Sequence, residues 1–292
     1  MDERDIMEVE TPILSNSGNT DPNLISFKTL LHSPDNTKPI PIFLNTSPEF
    51  AMKRLLSAGS MSIYQVCKVF RDCEIGNFHE PEFTLLEWYR VGFNHHQLMN
   101  EMIELLKIMG YRTFERKCYA EIFEESIGLN PHSVDIKHLY KKAVSFGLQD
   151  AHEDRRSLLD FLFSHIVVPA LSRDHPIFIY DFPVCQAALA QICHGVPAVA
   201  ERFELFIDGL EIANGYHELC EAKEQRERFE KDNQTRIQIG LEEIKIDNRL
   251  LEALEQGLQP CAGVAIGLDR LLMKILDIKS LSDVMTFSHE RS

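Results

Sequence analysis

Acidic side chains stand at intervals that would bring them together across a turn. Asp208-Gly209 is a dipeptide favoured in two-residue hairpin turns. With that turn, Ile207 is expected opposite Leu210 and Phe206 opposite Glu211. Glu204 shares the face of Phe206, so Glu204 and Glu211 are predicted to converge on one side of the hairpin. Two carboxylates that close repel unless a cation or a shared proton intervenes. Paired hard oxygens suit magnesium bridging phosphate oxygens. Taken alone, such a pair reads more simply as two surface acids.

A second arrangement lies upstream. Two-residue alternation puts Phe83, Leu85, Glu87 and Tyr89 on one face of a strand. A carboxylate buried unpaired among apolar neighbours is strongly destabilising, and a ligand amine or a cation would relieve it. The alternative is a polar face open to solvent. Arg71 closes the preceding strand, and Arg270 follows Gly263-Val-Ala-Ile-Gly267-Leu-Asp269. Guanidinium forks match phosphate, and glycines permit close backbone approach. Neither a Walker loop nor a Rossmann fingerprint is present, so a nucleotide site must be of another design.

These residues need elements to hold them. Ile6 to Val9 reads as a strand stopped by Pro12, 15–24 as loop, and 42–45 as a short strand. Ser47-Pro48-Glu49 supplies a cap, a first-turn proline and an early acid for a helix running to Gly59. Residues 63–71 and 83–90 form a predicted long hairpin around a polar connection, 72–82. Helical periodicity follows over 97–109, 119–147 and 155–171, then strands over 176–217, a charged helix over 221–239, and a strand entering a helix over 262–276. Two sheet-forming regions interrupted and flanked by helices predict an α+β fold. Trp88, opposite in direction to Glu87 and Tyr89, is expected in the core. His95-His96 reads as a helix start without a partner at metal spacing. Glu221 to Lys231 reads as a solvated helix with i,i+4 charge pairs.

The chain has 292 residues, 44% hydrophobic and 26% charged, ordinary for a soluble globular protein. No stretch has the length and apolarity of a membrane span, and the N-terminus lacks a signal-peptide plan. The seven cysteines occur without a Cys-x-x-Cys pair and are read as reduced thiols, which places the chain in the cytoplasm. A net charge of −15 argues against nonspecific nucleic-acid binding, which relies on cationic surface.

Several segments together carry a resemblance. Phe70-Arg71 with His79-Glu80-Pro81-Glu82-Phe83 resembles the second signature motif of class II aminoacyl-tRNA synthetases. Gly263 to Arg270 resembles the third, and Val9-Glu10-Thr11-Pro12 the end of the first. Glu211-Ile-Ala-Asn214-Gly215-Tyr-His-Glu218-Leu219 looks like the lysine-binding segment of lysyl-tRNA synthetases. The match spans nearly the whole chain in the right order. It implies a class II synthetase-like catalytic core over 1–292, mainly antiparallel sheet flanked by helices. Within that family the sequence is most similar to the paralogues that attach (R)-β-lysine to elongation factor P. Thr46-Ser47-Pro48-Glu49 matches their pattern, where lysyl-tRNA synthetases carry Ala before Pro-Glu. Ala265 stands where synthetases carry Gly, so a methyl group enters the amino-acid pocket. The helix that precedes the first motif in the family has no counterpart here, and no room remains ahead of Val9 for an anticodon-binding barrel.

The resemblance implies a role for each matching position. Arg71 would hold the α-phosphate and the substrate carboxylate, Phe83 would stack on adenine, and Arg270 would clasp the far phosphates. Asp72, Cys73, Glu74, His79, Glu80, Ile212 and Gly267 would border ATP. Glu204 and Glu211 would bind magnesium. Glu49, within Ser47-Pro48-Glu49, would meet the amine nearer the carboxylate, while Glu218 and Tyr89 would receive the distal ammonium. Asn214 would orient the carboxylate, Glu87 would support the amine, and Ala265 would shape the pocket. Two positions depart from the family motif. Cys73 replaces its glutamate, so Glu74 or a backbone carbonyl would have to contact the adenine amino group, and Glu80 replaces its asparagine. ATP, Mg2+, (R)-β-lysine and elongation factor P are the expected partners, with a homodimer and without tRNA or membrane. A truncated lysyl-tRNA synthetase and a noncatalytic regulatory subunit are the alternatives. Arg71, Glu211, Glu218 and Arg270 are expected to serve one pocket.

Overall fold

The computed structural model describes residues 1–32, 34, 38–149 and 154–292. The chain divides into two compact units, Met1–Gly92 with Cys220–Ser292, and Phe93–Leu219. The first unit opens with β1 (Met7–Glu8), β2 (Leu14–Ser15), β3 (Lys28–Leu31), β4 (Ile40–Leu44), α1 (Glu49–Ser57), β5 (Ile63–Phe70) and β6 (Glu82–Val91). β2, β4 and β3 form a small antiparallel sheet. β1 lies parallel to β5, and β5 pairs antiparallel with β6 from Ile63↔Tyr89 to Phe70↔Glu82. This is the long hairpin expected from the two strand-rich runs. α1 is entered differently from the expectation: Pro48 is the cap residue, and Ser47 Oγ accepts from the Glu49 N–H at 3.0 Å. Proline lacks an N–H to lose at this point, so the helix start costs nothing in unmet donors there. The helix ends at Ser57, and Gly59, with φ +97°, carries the chain away.

The second unit contains α2 (His95–Ile108), β7 (Glu115–Cys118), α3 (Tyr119–Ile127), α4 (Ile136–Ser145), α5 (Arg155–Leu162), α6 (Val168–Ala170), β8 (Ile177–Pro183), β9 (Ile192–Cys193), β10 (Val199–Ile207) and β11 (Leu210–His217). A π-helical turn, Phe163–Val167, joins α5 to α6. Strands run in the order β11, β10, β8, β7, with β9 against β10. Only β7 with β8 is parallel among these pairs. Asn94 caps α2 reciprocally with Gln97, satisfying two otherwise orphaned donors. A core of Tyr119, Phe123, Leu159, Leu162, Phe163, Ile179, Phe182 and Phe206 packs the helices on this sheet. Tyr119 is stacked on Phe163 at 4.8 Å and on Phe123 at 5.6 Å.

The chain then returns to the first unit through α7 (Ala222–Gln238), α8 (Asn248–Gln256), β12 (Cys261–Gly267) and α9 (Leu268–Ile275). β12 pairs antiparallel with β6, Cys261↔Val91 through Gly267↔Leu85. α8 packs on α1 and α7. α7 carries the expected i,i+4 pairs, Lys223 with Glu227 and Arg228 with Glu224. It is not simply a solvated helix, because Gln225, Phe229, Asn233 and Arg236 are buried on its inner side. α8 and β7 fall where no element was expected. The signal for α8 was available in Asp247, whose carboxylate accepts from the N–H groups of Arg249 and Leu250. Trp88 is buried, as predicted from its direction on β6. Among the described residues no helix is long and apolar enough to cross a membrane.

The aromatic core of the second unit is closely packed, with Phe123 fully buried. Phe123→Ala should remove about 3–5 kcal/mol of stability, seen as a lower urea midpoint with an unchanged slope. A loss below about 1 kcal/mol would mean that the stack with Tyr119 relaxes into the space.

Candidate active site

The first unit holds a buried polar cage. Glu87 is 2% exposed, in the middle of β6. The Ser47 hydroxyl donates to its Oε2 at 2.8 Å, and the Tyr89 hydroxyl donates to its Oε1 at 2.7 Å. Burial pushes the Glu87 carboxyl up to about 7, and repulsion from Glu49 adds to this, while the two hydroxyls and Lys53 pull the other way. Lys53 is 1% exposed and sits 2.7 Å from Glu49 Oε1, one helical turn along α1. Cross-strand pairing sets Gln65 of β5 and Ala265 of β12 directly opposite Glu87, so all three share one sheet face. The Thr11 hydroxyl donates to Gln65 Oε1 at 2.9 Å. The sheet thus presents an acid whose ionisation burial disfavours, a second acid already paired to lysine, and a phenol. An incoming ammonium would supply the positive charge that lets Glu87 ionise.

A separate group in the same unit is suited to phosphate. The Arg71 guanidinium lies 5.0 Å over the Phe83 ring, and its Nη1 stands 3.9 Å from Glu74 Oε1. Its Nε is buried without an acceptor, so this arginine keeps donors available. Arg270 Nε donates to the Phe78 carbonyl at 3.0 Å, holding the β5–β6 connection against the start of α9. Asp269 Oδ2 accepts from the Thr84 N–H at 2.6 Å. Cys73 is exposed with φ +64°, and its N–H donates to Asp72 Oδ1. His79 is exposed in the turn that pairs with Gly76. Glu80 is buried and accepts from both the backbone N–H and the ring Nδ1 of His289, at 3.0 and 3.2 Å. A Cβ added at Gly267 would meet only Arg270, at 3.8 Å. That is ordinary contact, so the protein's own packing does not demand glycine there.

The second unit holds the other acids. The pairs Ile207↔Leu210 and Phe206↔Glu211 are those predicted from the turn, and Asp208 and Gly209 both have positive φ, +50° and +68°. Beyond them the ladder slips by one residue, so that Leu205 faces Ala213 and Glu204 faces Asn214. The extra residue changes the side-chain parity of β11. Glu211 and Asn214, three apart, therefore come to the face that Glu204 occupies. Glu204 is 7% exposed, and burial pushes its carboxyl up to about 8, with Arg202 opposing and Glu211 and Asp160 adding to the rise. The Arg202 guanidinium hydrogen-bonds Glu204, donates to the Gln186 carbonyl at 2.8 Å and lies 4.6 Å over the Phe182 ring. Glu204, raised in part by the neighbouring Glu211 carboxylate, forms with it a donor set suited to a hard divalent cation. Glu218 is 1% exposed just past β11, at an isolated bridge with Ala190. Asn214 Oδ1 is buried without a donor.

The structure therefore brings together Ser47, Glu87 and Tyr89, with Glu49 joined through Lys53. It brings together Arg71, Glu74 and Phe83, and it brings together Glu204 and Glu211. Sequence reasoning missed Lys53, Gln65 and Arg202. Two carried a local signal: Lys53 stands four residues after Glu49 on one helix, and Arg202 stands two before Glu204 on one strand. His95 is also less isolated than expected, since Asp181 lies 3.1 Å from its Nε2.

Residues 1–291 match the family described as tRNA synthetases class II (D, K and N). An elongation factor P–(R)-β-lysine ligase of Pasteurella multocida (strain Pm70) is 47% identical over 292 residues, covering 99% of this chain and 90% of that protein. The ligase of the same name from Vibrio atlanticus (strain LGP32) is 48% identical over 294 residues, covering 99% and 91%. That of Sodalis glossinidius (strain morsitans) is 45% identical over 294 residues, covering 99% and 90%. With its largely antiparallel α+β architecture and a match running almost end to end, the chain belongs to the class II tRNA synthetase family of the D, K and N group.

Proposed function

We propose that this protein is an ATP-dependent, AMP-forming ligase that activates (R)-β-lysine and transfers it to a lysine side chain of elongation factor P. Similarity at 45–48% identity over nearly the whole chain to ligases of that name supports the acceptor and the amino acid. The geometric observation that carries the reading is the buried Glu87 carboxyl, which two hydroxyls orient and whose ionisation burial disfavours until a cation arrives. An amine-bearing substrate meets that requirement; a neutral one would not.

In the first step a carboxylate oxygen of the amino acid attacks the α-phosphorus of ATP, and pyrophosphate departs with the bond it breaks. Arg71 orients the carboxylate and α-phosphate, Arg270 holds the far phosphates, and Phe83 receives the adenine ring. Asp72, Cys73, Glu74, His79, Glu80, Ile212 and Gly267 border the nucleotide. Glu49, Glu87, Tyr89 and Glu218 take the two amino groups, and Asn214 orients the carboxylate. Ser47 and Pro48 set the start of α1, which carries Glu49. Glu204 and Glu211 would hold Mg2+, which when bound neutralises charge on the leaving phosphates. In the second step the acceptor lysine amine, having lost its proton, attacks the acyl carbon; AMP leaves and an amide forms. No protein nucleophile is needed. Residues 1–292 act as one catalytic domain in this reading, in the cytoplasm, as a homodimer and without tRNA. Activation of α-lysine by a truncated lysyl-tRNA synthetase is the less favoured reading, given the names of the relatives.

Incubation with ATP, Mg2+, (R)-β-lysine and elongation factor P should add one β-lysyl group to the acceptor, seen by intact mass. Unmodified acceptor, together with aminoacylated tRNA in a parallel reaction, would contradict the assignment. Ala265 faces Glu87 across the sheet, so Ala265→Gly should relax selection against α-lysine, by about 10-fold in kcat/KM ratio. An unchanged ratio would remove Ala265 from the selection of substrate.

A further inference from the structure

Ligand chemistry is also concentrated in the second unit away from the acids assigned to magnesium. His95 and His96 open α2 behind the Asn94 cap. Asp181 lies on β8, where the ladder with β10 is irregular between Ala200↔Phe182 and Phe203↔Tyr180. At this bulge Asp181 takes φ +59°, a left-handed conformation that departs from strand alternation. Its Oδ1 stands 3.1 Å from His95 Nε2. The rings of His95 and His96 are 4.1 Å apart, and the His96 ring also meets Tyr180 edge-on at 5.2 Å. One donor atom from each of His95, His96 and Asp181 lies within 4.8 Å of the other two.

The second observation concerns His95 itself. Its side chain is only 3% exposed, yet Nδ1 has no hydrogen-bond partner. A neutral imidazole carries one proton. With that proton on Nε2, facing Asp181, the Nδ1 lone pair is sealed from water with no donor to meet it. The alternative tautomer buries an N–H without an acceptor and sets the Nε2 lone pair against a carboxylate, which is worse. A cation between Nε2 and the Asp181 carboxylate relieves that repulsion, with the imidazole proton on Nδ1. The charged surroundings favour one: Asp181 and Glu201 act on His96 against the guanidinium of Arg116, which is itself tied to Asn100 at 2.7 Å. Glu201 is paired to His217 at 2.5 Å.

We propose that His95, His96 and Asp181 form a binding site for a divalent first-row transition ion of the zinc type. Two imidazoles and a carboxylate are a borderline-hard donor set, and three protein ligands with water completing the shell are ordinary for such ions. Magnesium, which demands oxygen ligands, is not the ion this set selects. The three residues take no part in the activation chemistry assigned above, so the site stands or falls independently of the ligase reading.

Calorimetric titration of the full chain with Zn2+ should show one ion per chain bound through these residues. His96 is exposed and its replacement leaves the core intact, so His96→Ala should keep the circular dichroism spectrum while weakening this binding about 10-fold or more. Asp181→Asn should weaken it similarly. Co2+ in place of Zn2+ should give visible d–d bands without a thiolate charge-transfer band, because the seven free cysteines are the competing ligands. Absence of binding, binding unaltered in both variants, or a thiolate band as the sole signal would overturn the proposal.

Discussion

A carboxyl group shut inside a sheet is the constraint on which the reading of this molecule turns. Glu87 has hydroxyl donors on both oxygens, from Ser47 and Tyr89, yet burial still holds its carboxyl near 7. Two hydrogen bonds do not replace the hydration that an ionised carboxylate loses. The consequence for stability has a definite sign. The folded state keeps a proton on Glu87 that the unfolded chain releases at ordinary carboxyl values, so this group's contribution weakens as pH rises from about 4.5 towards about 7. A bound ammonium reverses that cost by favouring the ionised form. A buried acid has been kept here at the expense of fold stability.

Everything around Glu87 follows from strand register. β6 lies between β5 and β12, and the register sets Gln65 on one side of Glu87 and Ala265 on the other. A slip of one residue would turn Glu87 away and put Trp88, now in the core, on this face. Lys53 answers Glu49 from the next turn of α1, which leaves the cage one cation short rather than two. In the second unit a register change has the opposite role. The slip between Leu205 and Phe206 brings Asn214 onto the face of Glu204 and Glu211, where unbroken alternation would have turned it away.

Much of this was legible in the residues, and the limits have physical causes. The Asp208-Gly209 turn and its two flanking pairs are local, set by backbone preference at positive φ, and they were readable. The long β5–β6 hairpin was readable from strand-forming residues on both sides of a polar connection. The bulge in β11 was not, because a single inserted residue leaves no mark on composition. Arg202 was passed over because its importance lies in burial beside Glu204, a tertiary fact. The same holds for Asp181, 86 residues from its partner His95, where no spacing rule could have joined the two. α7 shows the reverse error: its charge density signals solvent, yet Phe229 on its inner side packs 5.7 Å from Phe50. The roles of Cys73 and Glu80 rest on family resemblance, while their neighbours here are a turn and His289.

The central claim is that burial raises the Glu87 carboxyl to about 7 and that a bound ammonium would lower it. Carbon-13 NMR of glutamate-labelled protein, with Glu87→Gln to assign the signal, reads this directly. The account predicts a carboxyl titrating near 7 in the free protein, moving below its ordinary range when (R)-β-lysine is bound. An ordinary glutamate value in the free protein, or one indifferent to the amino acid, would contradict it.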